Sequence, residues 1–300
     1  MSRRHALMAG ALALAAALIY GFSHASPQPS DCVTTAPAGQ QPAADVKAAA
    51  AIVSAVPPPA ASPAPGTAAG PQYLRVPLIG EDAPAFKADS TRGAIDFPGD
   101  FKGKWVILFS HPSDFTPVCT TEFMTFGKMA PQFKKLNCEL LGLSIDGTYS
   151  HIAWLRTIRD KISYRDMKNI DITFPLISDL KMEVAAKYGM VQPGASDTKA
   201  VRAVFVIDPK AKIRAIIYYP MSTGRNFQEL KRLLVAMQTS DTHACATPAD
   251  WQPGDDVIVA PPSSCQAADD RVANPPEGTT VVDWFLTFKK LPKEKIQLAD

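Results

Sequence analysis

Residues Lys104–His111 read KWVILFSH, an unbroken apolar run bounded by Gly103 and Pro112. A strand with one solvated face alternates apolar and polar residues. A run without alternation is covered on both faces, as in a sheet flanked by helices. The segments that follow fit that frame. Phe123, Phe126, Ala130 and Phe133 recur at helical spacing as far as about Lys135. Cys138–Asp146 (CELLGLSID) is a second buried strand, and Ser150–Ile162 is an amphipathic helix. Leu180–Gly189 is another helix, closed by its terminal glycine. Val201–Tyr219 holds two β runs around Asp208-Pro209-Lys210, an antiparallel hairpin. A helix then runs from Asn226, its cap, to Gln238. The order βα-βα-ββα predicts an α/β fold with helices on both faces of one sheet.

The ends read differently. Arg3-Arg4-His5 precedes an uncharged run, residues 6–22, and then Ser23-His24-Ala25, a small-x-small cleavage pattern. As a helix this run is roughly 25 Å long, at the lower limit for a bilayer span. Residues 1–25 are therefore expected to be an export signal or, uncleaved, a membrane anchor, which places the protein in the periplasm or tethered to face an extracytoplasmic compartment. Residues 26–73 are rich in proline and alanine and too poor in aromatics to offset their ordering entropy, so a disordered linker is expected. The folded part is expected over 74–241, with a proline- and turn-rich arm over 242–300 that packs on the main domain or on another subunit. Trp251, Trp284 and Phe285 are its candidate anchors, Thr279–Phe288 its strand, and the basic stretch Lys289–Lys295 a solvated surface. The 300 residues carry a net charge of only +2, so no nucleic-acid partner is expected.

One cysteine stands out chemically. Thr116-Pro117-Val118-Cys119 reads as a helix start, with Thr116 as N-cap and Pro117 in the first helical position. Cys119 then lies in the first turn, among amides without intrahelical partners. Those N–H groups and the helix dipole favour a thiolate over a thiol. The thioredoxin redox motif would place a second cysteine at 122, where this chain has Glu122.

Pro112-x-x-x-Thr116-x-x-Cys119 resembles the peroxiredoxin active-site signature, and FSHPSDFTPVCTTEF is similar to its one-cysteine subfamily in particular. Arg202 in VRAVFVID, Gly224-Arg225-Asn226 in YYPMSTGRN and the late DWQPGDDVIV extend the resemblance over about Leu74 to Phe288. It implies a thioredoxin-like fold, a central mixed β-sheet flanked by helices, with a C-terminal peroxiredoxin arm. It also implies roles. Cys119 is the peroxidatic thiolate, Thr116 orients the peroxide, and amides near Val118 and Cys119 stabilise its oxygens. Arg202 holds thiolate and peroxide, and Pro112 shields the sulfur. Glu122 orients an arginine, Arg225 being the expected second one, and His111 lines the pocket. No cofactor and no metal are implied.

A sulfenic acid on Cys119 needs a reducing thiol. No C-x-x-C motif is present, which argues against a dithiol exchange role. Cys138 begins a strand and reads as core. Cys245 and Cys265 flank the arm, where they either pair as a staple or supply a resolving thiol, and Cys32 sits on the linker. The expected partner is an external thioredoxin-, glutaredoxin- or glutathione-like thiol, and the expected assembly a homodimer or larger homo-oligomer. The competing expectation is a redox-sensing or chaperone-like oligomer with little turnover.

Overall fold

The structure is a computed structural model and describes residues 76–196 and 198–298. The signal or anchor expected at 1–25, the linker at 26–73 and Cys32 lie outside the described residues. Among the described residues no helix is long and apolar enough to cross a membrane.

Two antiparallel strands, β1 (Phe86–Ser90) and β2 (Gly93–Phe97), are the first among the described residues. Then come β3 (Trp105–Ser110), α1 (Pro117–Lys135), β4 (Cys138–Ser144) and α2 (Thr148–Lys161). A small hairpin of β5 (Ser163–Tyr164) and β6 (Met167–Lys168) precedes β7 (Leu176–Ser178) and α3 (Glu183–Lys187). The hairpin β8 (Arg202–Ile207) and β9 (Ile213–Tyr219) leads into α4 (Phe227–His243). The sheet has seven strands in the order β2-β1-β7-β4-β3-β8-β9. β3–β4 and β4–β7 are parallel while β3–β8 and β8–β9 are antiparallel, so the sheet is mixed, as expected.

The unbroken apolar runs arise because alternate residues enter two different cores. Trp105, Ile107 and Phe109 of β3, with Val204 and Val206 of β8, pack against Phe123, Phe126 and Phe133 of α1 and Leu230 and Leu234 of α4. Val106, Leu108, Phe205 and Ile207 face the other way, toward Tyr188, Val184 and the β1–β2 hairpin. Period-two alternation fixes where functional side chains point. Arg202 shares the even-numbered face of β8 with Val204 and Val206, so it is directed toward α1.

The structure differs from expectation in places. The helix expected at Leu180–Gly189 is only Glu183–Lys187, because the Asp179 carboxylate accepts from the Val184 and Ala185 amides and starts the helix there. The Asn226 helix runs on past Gln238 to His243, with Asn226 Oδ1 accepting from the Gln228 and Glu229 amides as its cap. In the C-terminal region β10 (Val257–Val259), α5 (Cys265–Ala273), β11 (Thr279–Asp283) and β12 (Leu286–Lys289) follow, and the three strands form a separate sheet. The single strand expected at Thr279–Phe288 is thus a hairpin turning at Trp284-Phe285. That tip is exposed, whereas Trp251 is buried against the α1–α4 core with Val257, Leu291 and Ile296. The basic stretch is therefore anchored through Leu291 rather than wholly solvated. Cys245 is a free thiol and so does not pair with Cys265.

Candidate active site

The β3–α1 connection, residues 111–116, brings the site together at the C-terminal end of β3. Thr116 has extended backbone angles (φ −104°, ψ 147°) and occupies the N-cap position, and Pro117 opens the helix. The Thr116 hydroxyl does not cap the helix. It donates instead to the Ser113 carbonyl at 2.9 Å, while the Thr116 carbonyl accepts the first helical bond, from the Thr120 amide at 3.0 Å. The Val118 and Cys119 amides are thus in the first turn, where no carbonyl precedes them in the helix. Cys119 is fully buried, while Thr116 and Val118 beside it are half-buried and reach the surface. Pro112 is buried, and Val118 approaches Gly224 of the loop that follows β9.

Arg202 crosses from β8 to the sulfur. Its Nη1 donates to Cys119 Sγ at 3.2 Å and to Glu122 Oε2 at 2.7 Å. Its Nε and Nη2 both donate to the Met221 carbonyl, at 3.0 and 2.7 Å. Glu122 stands three residues beyond Cys119, on the same helix face. Its other side faces Arg225, which donates from Nη2 to Oε2 at 2.7 Å and from Nε and the backbone amide to Oε1 at 2.9 and 2.8 Å. Arg225 also donates to the carbonyls of Ser110 and Ala203, tying the carboxylate to the ends of β3 and β8. All three ionisable side chains are almost wholly buried. Burial alone would raise the Glu122 pKa. The charge and hydrogen bonds of Arg225 and the charge of Arg202 outweigh it and hold Glu122 below the ordinary carboxylate range.

His111 follows the last residue of β3 and has no exposed surface. Its ring stacks on Trp154 and meets Phe123 edge-on, and Nε2 faces Asp114 Oδ1 at 3.1 Å. Burial pushes its pKa down. Sequence reasoning missed Asp114, Asp146, His151 and the Met221 carbonyl. In sequence Asp114 is one polar residue of a turn, and its partner His151 lies 37 positions away, so no local pattern announces the pair. His111, Asp114 and Asp146 bring possible ligand atoms within 4.8 Å of one another. The acid oxygens there already accept from N–H and O–H groups, so the cluster is a hydrogen-bond network.

Burial would raise the Asp114 pKa, but hydrogen bonds from His111 and His151 prevail and lower it from 3.8 to about 2. A depressed carboxylate contributes stability above its unfolded pKa and loses it as pH falls toward the folded one. Asp114 is therefore expected to contribute about 2 kcal/mol that is present above about pH 4 and lost by about pH 2. Urea midpoints of wild type and Asp114→Asn should converge over that window. A gap that stays constant from pH 5 to pH 2 would contradict this.

A thioredoxin-like sheet that presents a helix-start cysteine to a guanidinium, with no second cysteine in the same turn, is the arrangement of a thiol-based redox enzyme. Residues 79–216 match the AhpC/TSA family, and residues 236–274 match the C-terminal domain of 1-Cys peroxiredoxin. A peroxiredoxin of Methanosarcina mazei is 63% identical over 215 residues, covering 72% of this chain and 98% of that protein. One of Aquifex aeolicus is 55% identical over 182 residues, 61% of this chain and 79% of that protein. Among solved structures, a yeast mitochondrial 1-Cys peroxiredoxin superposes with a TM-score of 0.62 at 39% identity, covering 72% of this chain and all of that one (100%). Peroxiredoxin 6 of Arenicola marina, in a cysteine-to-serine mutant form, gives 0.61 at 36% identity, covering 72% of this chain and 99% of that one. The chain belongs to the peroxiredoxins, in the AhpC/TSA family with a 1-Cys C-terminal domain. It is a thiol-dependent peroxidase that works through a peroxidatic cysteine.

Proposed function

We propose that Cys119 is the peroxidatic cysteine and that Thr116, Arg202, Glu122 and Arg225 form its working set. The 3.2 Å contact from Arg202 Nη1 to Cys119 Sγ at a helix start carries the assignment. The thiolate attacks the terminal oxygen of the peroxide, the O–O bond breaks, and its electron pair leaves with the other oxygen, which takes a proton. Cys119 is left as a sulfenic acid.

Donor counting supports the roles. Arg202 has five N–H groups. Two go to the Met221 carbonyl, one to Glu122 and one to Cys119, which leaves one on Nη2 for a peroxide oxygen. The Thr116 hydroxyl hydrogen is committed to Ser113, so its oxygen is free to accept from the peroxide O–H. The Val118 and Cys119 amides supply further donors to the oxygen on which charge develops. Pro112 keeps water from the sulfur. The buried His111 backs the pocket from beneath.

The sulfenic acid is reduced by an external thiol. The solved yeast mitochondrial 1-Cys peroxiredoxin concerns thiol resolution through glutathione and thioredoxin systems, and a reductant of that kind suits a chain whose other described thiols are poorly placed to react. Burial pushes both the Cys138 and Cys245 thiols up. A homo-oligomer is proposed on the exposed Trp284 and Phe285, and an exported or membrane-tethered location on residues 1–25.

Full-length protein given one equivalent of hydrogen peroxide in the presence of dimedone should gain a single adduct, on Cys119, and should consume peroxide catalytically with a supplied thiol. An adduct confined to Cys245 or Cys138 would move the assignment.

A further inference from the structure

The loop that carries Pro112 and Thr116 is held by two acids that the peroxidase chemistry does not use. Asp146 accepts from Ser113 Oγ at 3.3 Å, from the Asp114 amide at 2.9 Å and from Ser144 Oγ at 2.7 Å. The Asp114 side chain turns inward, 1% exposed, and bridges two buried imidazoles: His111 Nε2 at 3.1 Å and His151 Nδ1 at 2.8 Å. His151 belongs to α2, and its Nε2 faces the Ile177 carbonyl of β7 at 3.2 Å.

Three residues along α2, Trp154 stacks on His111 with ring centroids 5.2 Å apart. Its Nε1 donates to Thr120 Oγ1 at 3.2 Å, and that hydroxyl donates to the Thr116 carbonyl at 2.8 Å. Helix α2 therefore grips the loop at both ends, at His111 and Asp114 where it begins and at Thr116 where it becomes α1. An ionised carboxylate only accepts, so the ring nitrogens facing Asp114 are donors. His111 Nδ1, on the far side of its ring, has no hydrogen-bond partner among the described residues.

From this geometry we infer that Asp114 and His151 are positioning residues of the peroxidase: they lock the His111–Thr116 loop to helix α2 and so fix the Thr116 hydroxyl at the start of α1. The inference rests on the reading of Cys119 and Thr116 given above. A buried bridge between a loop and a helix restricts the loop far more than a surface contact does, and misplacement of a substrate-orienting group by about 1 Å costs up to ~100-fold in rate.

The test is stopped-flow measurement of sulfenate formation on Cys119 in the full-length protein, with reduction of the sulfenate by dithiothreitol followed as a separate step. Asp114→Asn and His151→Gln are each expected to slow sulfenate formation about ten- to hundredfold. The double variant should be little slower than the worse single one, because both changes break the same chain. His151→Asn, whose amide nitrogen replaces Nδ1 as a donor to Asp114, should restore most of the rate. Reduction of the sulfenate should change less than about twofold, since it does not use Thr116. A folded variant that forms sulfenate at the wild-type rate overturns the inference. So does an equal loss in both steps, which marks a general loosening of the fold. If Asp114→Asn does not fold, the contrast between His151→Gln and His151→Asn decides alone: equal wild-type rates overturn the inference, and a slow Gln variant beside a near-normal Asn variant upholds it. Wild-type protein that forms no sulfenate at Cys119 would sink the peroxidatic assignment instead, so the two failures are distinguishable.

Discussion

Cys119→Ser is expected to lower peroxide turnover by at least about 10⁴-fold, the scale of loss when a covalent nucleophile is removed. The substitution exchanges one small buried group for another, so the fold should persist. What disappears is a polarisable sulfur nucleophile: a serine hydroxyl in the same place is a poor nucleophile without a base to take its proton. The other described thiols cannot substitute. Cys138 is in the sheet core, and burial holds both it and the half-buried Cys245 in the thiol form. Peroxide consumption with a saturating thiol donor checks the expectation, with thermal denaturation as the control for folding. Turnover that survived the substitution would mean that another sulfur does the work.

Glu122→Gln should be the most destabilising single change at the site. The carboxylate receives four N–H groups, three from Arg225 and one from Arg202, with about 2% of its side chain exposed. The amide keeps the shape, but it carries no charge and turns an NH₂ toward one of the guanidinium groups. Two buried cations then lose their shared counterion, a change of about 3–5 kcal/mol. For a protein of this size that corresponds to a fall in Tm of roughly 6–20 °C. Because Glu122 also aims Arg202, sulfenate formation should slow at least about tenfold in whatever fraction stays folded. A Tm within about 2 °C of wild type would show that the arginines are held by their backbone partners alone.

The elements most visible in the sequence were those buried on both faces. β3, the Leu140–Leu143 stretch of β4 and the Ala203–Ile207 stretch of β8 are continuous apolar runs, and α1 repeats phenylalanine at helical spacing. The strands that escaped notice lie at or beside the β2 edge of the sheet, or are very short. β1 (FKADS) and β2 (GAIDF) mix charges with apolar residues, and β7 is three residues long. The cysteine was legible from local chemistry and from family resemblance independently, whereas Arg202, Glu122 and Arg225, which lie far apart in the chain or carry no local pattern, were legible through the resemblance alone. Thr116 was placed correctly at the N-cap, but its hydroxyl bonds backward to Ser113 instead of forward into the helix. Asp114 and His151 were illegible for a different reason: a buried acid looks like any turn aspartate until the helix that supplies its hydrogen-bond partner is packed against it.

The face-alternation in β8 has a bearing on how such a chain can change over time. Arg202 and the pair Val204 and Val206 look one way, Phe205 and Ile207 the other. One residue inserted or deleted between Arg202 and Ile207 would invert that sorting and carry the guanidinium to the wrong side of the sheet. An added residue in the 208–211 turn would disturb local hydrogen bonds, such as those the Asp208 carboxylate accepts from the Lys210 and Lys212 amides, but would leave the facing of β8 intact. Drift in length is therefore open to the turn and closed to the strand, however freely the strand exchanges one aliphatic side chain for another.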